Sequence, residues 1–342
     1  MKKILYIITI PDWGGAQAHV YYSAGWPINT GDEISVLVGQ SDNFKSKINL
    51  LDKLANLSDI KSRQLKNLVR PIHPLKDLLA LIEIINYYNS EKPDIVHLNS
   101  SKAGILGSAA KLFSIHKPEI FYMVHGWVFL EPMNIIKKRF YIFLEKIASR
   151  WRDKILVLGE REKQIALDYK ICPEKKLQIH HHPVLITQSF LNRDVARKEL
   201  CLPEDKKIIG TIANFYPAKA LHNLIEVASK INNPDIIFAV IGEGPLRDNY
   251  ELLITNYELQ DRVLLLGEKK DAAQYLKAFD IFVLPSIKEG MPYAILEAMH
   301  AKLPIVATEV GAVPEMLENY PNKTIVPPDD TEKLAEAIKK YL

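Results

Sequence analysis

The chain has 342 residues, 48% of them hydrophobic and 25% charged, with a formal net charge of +3. That balance belongs to a folded globular protein and excludes a disordered chain, and the length exceeds what one core usually organises, so two domains are expected. No apolar run reaches the ~18 residues of a membrane span, and two cysteines, Cys172 and Cys201, supply neither a disulfide framework nor metal-ligand spacing.

The chain opens with Met1-Lys2-Lys3 and an apolar run over 4–10. Pro11, Asp12 and Trp13 stop that run and no small-residue cleavage site follows, so it reads as a buried first strand rather than a signal peptide. With the cysteine usage, this gives a cytoplasmic expectation, with room for a place at the inner face of a membrane. Short β-branched runs over 4–10, 34–38, 95–98, 120–124 and 155–158 read as buried strands of a first series. Runs over 208–213, 236–241, 263–266, 281–284 and 305–308 form a second. Helix-length amphipathic segments, such as 75–88, 138–152, 220–231 and 272–278, lie between them. Alternation of helices with fully apolar strands implies parallel sheets covered on both faces. The reading is α/β: two Rossmann-like doubly wound domains, 1–182 and 183–342, with the break near His181–Pro183.

Charge is uneven along the chain. Residues 1–170 carry 24 Lys and Arg against 17 Asp and Glu, while residues 171–342 carry 20 against 24. A basic first half suits an anionic partner, such as a membrane surface, a phosphorylated lipid or nucleic acid, and scattered solvated lysines are the plain alternative.

Ligands of doubly wound sheets bind beyond the carboxyl ends of the strands, so the loops there carry the chemistry. The first is Pro11-Asp12-Trp13-Gly14-Gly15-Ala16-Gln17, where Gly14 and Gly15 allow close backbone approach and the following helix offers free N–H groups. It is not a G-x-G-x-x-G dinucleotide fingerprint. That helix is expected to end or kink near residues 24–26, because Gly25 and Pro27 interrupt it. His125, just past a strand end and beside Gly126, is positioned to reach a phosphate or sugar hydroxyl; His97 lies inside its strand and reads as a core residue. His180, His181 and His182 are adjacent on an extended segment, so their side chains alternate in direction and no metal site is expected.

In the second half, Asn214 and the loop Phe215-Tyr216-Pro217-Ala218-Lys219 follow the first strand, and Lys219 can neutralise phosphate charge. Gly244 lies in a turn, Gly242-Glu243-Gly244-Pro245, that reads as flanking the ligand. The densest segment runs Pro285-Ser286-Ile287-Lys288-Glu289-Gly290-Met291-Pro292, then Tyr293 to Met299. Glu289 sits on a loop, Gly290 permits tight approach, and Pro292 suits the first helical position. The helix start then faces a diphosphate. Glu297, flanked by Ile295, Leu296, Ala298 and Met299, needs a partner, and ribose hydroxyls would serve.

These residues resemble the retaining family 4 glycosyltransferases of GT-B fold. Glu289 and Glu297 match that family's E-x7-E motif, the Gly14-Gly15 loop resembles its N-terminal glycine loop, and Ser100-Ser101-Lys102-Ala103-Gly104 and Val124-His125-Gly126-Trp127 resemble members that build bacterial surface polysaccharides. The resemblance implies two domains facing a central cleft, the first binding acceptor and the second binding donor. It implies that Lys219 contacts the donor diphosphate, Glu289 positions the donor sugar and Glu297 binds the ribose. Gly290, Met291 and Pro292 would add contacts to phosphate or sugar, and His125 would lie near the transferring sugar, with His125 and Glu289 as the candidate catalytic pair. It implies a nucleotide-sugar donor, no cofactor and no metal, with catalysis carried by electrostatic stabilisation. Three features depart from the family: Asn214 stands where an arginine is common, His181-His182-Pro183 replaces Asn-Gly, and the chain ends at Leu342 where members usually continue into a helix that crosses back to the first domain.

The expectation is transfer of a hexose-type sugar to a saccharide or lipid-linked acceptor in surface polysaccharide synthesis. A peripheral membrane contact of the first domain through Lys137-Lys138-Arg139, beside Phe140 and Tyr141, accompanies it, with no nucleic acid partner. A sugar-nucleotide epimerase of similar architecture is the alternative, and a two-lobed sugar-binding protein the third reading.

Overall fold

The computed structural model describes residues 1–25, 31–41, 48–131, 133–182 and 189–342. The chain divides into two compact units, Met1–Pro183 and Val184–Leu342. Pro27 and Pro183 lie outside the described residues.

The first unit alternates strands and helices: β1 (Lys3–Ile8), α1 (Gly15–Gly25), β2 (Glu33–Val38), α2 (Leu50–Leu54), β3 (Ile60–Gln64), α3 (Pro74–Glu91), β4 (Ile95–Leu98), α4 (Ser101–Phe113), β5 (Glu119–Met123), α5 (Ile135–Ala148), β6 (Lys154–Val157), α6 (Glu160–Asp168) and β7 (Leu177–Ile179). These strands pair in parallel, in the order β3-β2-β1-β4-β5-β6-β7. Side chains alternate across the sheet. Leu5 and Ile7 of β1 therefore enter a core with α3 and α4, while Tyr6 and Ile8 enter a second core with α1 and α2.

The second unit follows the same logic: α7 (Arg193–Glu199), β8 (Lys207–Ile212), α8 (Leu221–Lys230), β9 (Ile236–Ile241), α9 (Arg247–Asn256), β10 (Val263–Leu265), β11 (Ile281–Leu284), α10 (Tyr293–His300), β12 (Ile305–Thr308), α11 (Val313–Leu317), β13 (Lys323–Val326) and α12 (Thr331–Lys339). Its parallel sheet has the order β10-β9-β8-β11-β12-β13. Phe238 and Val240 face one core, Ile237 and Ala239 the other. The segment expected as a helix over 272–278 is a 3-10 helix, Ala272–Ala278.

Periodicity missed β3, β7 and β13. All three are edge strands: β3 buries only Ile60, β7 has three residues, and β13 buries only Val326. An edge strand has one neighbour and need not be apolar throughout. Helix α5 begins three residues earlier than expected because Asn134 caps it, its side chain accepting from the Lys137 N–H at 2.8 Å. Beneath α5, the fully buried Arg152 donates to Glu145 Oε2 at 2.6 Å and to Ser108 Oγ of α4 at 3.2 Å, and lies 3.7 Å over the Tyr122 ring of β5. That network seats α4 and α5 on the sheet. Among the described residues no helix is long and apolar enough to cross a membrane.

Candidate functional site

Each sheet has one point where the strand order reverses, between β1 and β4 in the first unit and between β8 and β11 in the second. Loops from those neighbours run to opposite faces and leave a crevice between them.

In the second unit the loop after β8 carries a 3-10 turn, Pro217–Lys219, closed by Ala220 in the left-handed region at φ 45°. The Ile287 N–H of the loop after β11 donates to the Ala218 carbonyl at 2.9 Å and ties the two loops together. Lys219 Nζ donates to both oxygens of Glu289, at 2.7 and 2.9 Å. The Glu289 side chain is 8% exposed and that of Lys219 28%, so a shielded carboxylate holds a half-open ammonium. Ser286 Oγ donates to the same carboxylate at 2.6 Å, and the Ser286 carbonyl accepts from Thr308 Oγ1 at 2.5 Å. Gly311, at φ 51°, follows β12 and packs against this loop. A Cβ there would come within 2.4 Å of the Glu289 and Gly290 carbonyls, and the Ala312 N–H binds the Gly290 carbonyl at 2.8 Å.

For Gly244, expected in a turn that flanks the ligand, the structure adds a packing role. A Cβ on it would meet the Phe215 backbone at 2.6–2.9 Å, and the Phe215 N–H donates to the Glu243 carbonyl at 2.8 Å. Its smallness therefore lets the loop after β9 support the loop that carries Asn214 and Lys219. Pro292 was placed at the first helical position but is the capping residue, with extended backbone at φ −71°, ψ 120°, and α10 starts at Tyr293. Met291 precedes it, partly buried.

Glu297 lies on α10 beside the core residues Ile295 and Ala298. Its carboxylate has no hydrogen-bond partner among the described residues, and burial pushes its pKa up to about 7. The two acids of the motif thus differ in surroundings: Glu289 is ion-paired, Glu297 is desolvated and uncommitted.

In the first unit, Gly14 and Gly15 start α1, with the Gly14 carbonyl accepting from Ala18 N–H at 2.8 Å and Gly15 exposed. Gln17 Nε2 pins the turn to the Ile10 carbonyl at 3.0 Å. Thr9 Oγ1 and Ser100 Oγ, 2.6 Å apart, join this loop to the start of α4. His125 follows β5, next to Gly126 at φ 106°, and burial pushes its ring down to about 3. Its Nε2 is buried with no partner among the described residues. His97 stacks on Tyr6, with centroids 4.9 Å apart, inside the sheet. Sequence reasoning missed Ser286, Gly311 and His19, which packs against His125 with centroids 5.1 Å apart. A glycine after β12 was a legible sign; a serine and a histidine at those places carried none by themselves. Among the described residues no group of three His, Cys, Asp or Glu side chains is arranged to hold a metal ion.

Residues 13–186 match the model of Glycosyltransferase Family 4, and residues 192–342 that of Glycosyl transferases group 1. The chain is 31% identical to the UDP-Gal:alpha-D-GlcNAc-diphosphoundecaprenol alpha-1,3-galactosyltransferase of Escherichia coli, over 79% of this chain and 72% of that protein. It is 24% identical to the capsular polysaccharide biosynthesis glycosyltransferase CapM of Staphylococcus aureus, over 92% of this chain and 86% of that one. The crystal structure of Anabaena HepE with UDP and glucose superposes with a TM-score of 0.81 at 20% identity, covering 99% of this chain and 89% of that one. This likeness assigns the fold to the GT-B class, with two Rossmann-like domains. The named relatives are glycosyltransferases and lend the epimerase alternative no support.

Glu297 gives a sign-definite test. Its folded pKa lies above the ordinary value of 4.5, so the folded protein keeps a proton that the unfolded chain loses. The stability this group contributes is full below 4.5 and is lost as pH rises to about 7. Glu297→Gln is therefore expected to raise the melting temperature at pH 8 and to change it little at pH 5. An equal shift at both would show that the carboxyl is not desolvated.

Proposed function

This chain belongs to the family 4 glycosyltransferases and is a transferase enzyme, and we propose that it moves a hexose-type sugar, with retention, from a nucleotide-sugar to a saccharide or lipid-linked acceptor in surface polysaccharide synthesis. The observation that carries the proposal is the Lys219–Glu289 ion pair at the reversal point of the second sheet, with the uncommitted Glu297 on the helix that follows. A diphosphate attracts the Lys219 ammonium, and donor hydroxyls replace it on the Glu289 carboxylate. Ribose hydroxyls suit Glu297, which lacks a partner among the described residues and gains stability as a carboxylate once they donate to it. Asn214, Gly290, Met291 and Pro292 line the same loops. His125, with Gly14 and Gly15, serves the first unit's share of the substrate.

In this reading the bond between the sugar and the diphosphate breaks as negative charge grows on the leaving phosphate, and Lys219 stabilises that charge. The leaving phosphate takes the acceptor's proton, so no metal and no cofactor is needed. The acceptor class is supported by the E. coli relative, whose name specifies a diphosphoundecaprenol-linked sugar.

The basic first unit supports a lipid setting. Ile136, Phe140 and Phe143 share one exposed face of α5 at helical spacing, with Lys137, Arg139 and Lys146 exposed around them. Exposed apolar side chains ringed by lysine and arginine suit the surface of an anionic bilayer. We read the charge excess as meeting lipid rather than nucleic acid.

Two experiments test these readings. Thermal-shift screening of UDP-, GDP- and dTDP-hexoses selects a donor, and Glu289→Ala is expected to lower kcat/KM for it by about 100-fold or more, with wild-type turnover unchanged by chelator. Wild-type kinetics in the variant, or loss of turnover that a divalent metal restores, would remove this mechanism. In flotation assays the protein is expected to rise with phosphatidylglycerol-containing vesicles and not with pure phosphatidylcholine. The Ile136→Ser, Phe140→Ser, Phe143→Ser triple variant should stay at the bottom; equal flotation of variant and wild type would exclude α5 as the contact.

A further inference from the structure

Three imidazoles of the first unit meet in its interior. His19 comes from α1, His125 from the loop after β5 and His182 from beyond β7. The ring centroids are 5.1 Å apart for His19 and His125, 4.8 Å for His19 and His182, and 5.6 Å for His125 and His182. His19 and His182 are almost completely buried. A fourth ring, His180, meets His19 edge-on at 6.3 Å.

The contact between His19 and His182 is a direct one, Nδ1 to Nδ1 at 3.0 Å. Two imidazole nitrogens can meet at that distance only when one carries a hydrogen and the other a lone pair. The two rings therefore hold opposite tautomers. Two imidazolium rings would set two N–H groups head to head, so the pair cannot take up two protons. On its far side, His19 Nε2 lies 3.4 Å from Ser23 Oγ, a hydroxyl that can donate or accept and so accommodates either tautomer.

His125 is held differently. Among the described residues its Nε2 has no hydrogen-bond partner. Its plane is set by packing, nearly parallel to His182 at 27° and edge-on to His19 at 66°. The groups that act electrostatically on His19 and His182 are other histidines: His97, His125, His180 and His181. With burial added, the rings of His19, His97, His125, His180 and His182 are all pushed toward the neutral form. Filling a core with three imidazoles instead of apolar rings costs desolvation at each nitrogen, and that cost is offset where the nitrogens are used.

We infer that His19 and His182 are positioning residues for His125: the hydrogen-bonded pair fixes the plane of the His125 ring and leaves its Nε2 uncommitted, for an oxygen of the substrate. This rests on the reading of His125 as a substrate-contacting group. The pair acts through His125 and does not itself touch the reacting atoms. It also explains why α1 carries a buried polar ring at position 19, where an apolar side chain would fill the same space.

The test compares His19→Phe, His19→Asn and His125→Ala, using the hexose donor selected by the screen above. His19→Phe keeps a ring but removes the Nδ1 contact, and it is expected to lower kcat by about tenfold with donor KM within about threefold. His19→Asn returns an amide atom near the position of Nδ1 and should recover most of the loss, which a purely space-filling role would not predict. A His19→Phe variant at wild-type kcat, beside an impaired His125→Ala, overturns the positioning role while the reading of His125 stands. Wild-type kcat in His125→Ala overturns both. Should His19→Phe fail to fold, 15N-imidazole spectra of the unaltered protein near pH ~6.5, the ordinary histidine pKa, decide the matter. Opposite tautomers at His19 and His182 with a neutral His125 support the inference; a shared tautomer or an imidazolium at His125 overturns it.

Discussion

A parallel strand must be entered from the same end as its neighbour, and this one constraint places the chemistry of the protein. Each helix returns the chain to the starting edge, so every strand-to-helix loop opens at the opposite edge. Where the strand order reverses, adjacent loops turn to opposite faces. In the second unit the reversal lies between β8 and β11. It brings Lys219 and Glu289, 70 positions apart in the chain, to 2.7 Å. The supporting contacts serve that meeting: Gly244 lets the loop after β9 back Phe215, Gly311 lets the loop after β12 back Glu289, and Ser286 fixes the carboxylate.

The two acids of one motif are made unlike by their surroundings. Glu289 is paired with a cation and a hydroxyl, whereas Glu297 sits against the core with no partner among the described residues and its pKa pushed up to about 7. A paired carboxylate is ready to exchange one donor for another. An unpaired one changes its proton affinity when hydroxyls arrive. In the first unit burial acts on imidazoles instead, keeping the His125 ring neutral, and its Nε2 has no partner among the described residues.

Much of this was legible in the sequence because buried parallel strands are apolar on both faces. The central runs over 95–98, 236–241, 281–284 and 305–308 coincide with β4, β9, β11 and β12. The edge strands β3, β7 and β13 were not legible, since an edge is exposed and its residues, such as Lys61, Ser62 and Arg63, are polar. The loop bearing Glu289 was readable from glycine, proline and acid following a strand. The ion pair with Lys219 was not, because its partners meet only through topology. The packing role of Gly244 was not legible for a similar reason: a glycine that admits a ligand and one that admits a neighbouring loop look alike in one dimension. His19 gave no sign, since a histidine inside a helix has no distinctive spacing and its partners lie 106 and 163 positions away.

The second unit is expected to hold a nucleoside diphosphate with Glu297 on its ribose. Calorimetric titration at pH 6.5 in two buffers of different ionisation enthalpy measures it, using whichever of UDP or GDP stabilises the protein more. Glu297 is mostly protonated at that pH, being pushed up to about 7, and hydroxyl donors favour its charged form. Binding should release a proton from the wild type and release fewer from Glu297→Gln, with weaker affinity in the variant. Equal proton release and equal affinity in the two proteins would show that Glu297 does not meet the ribose.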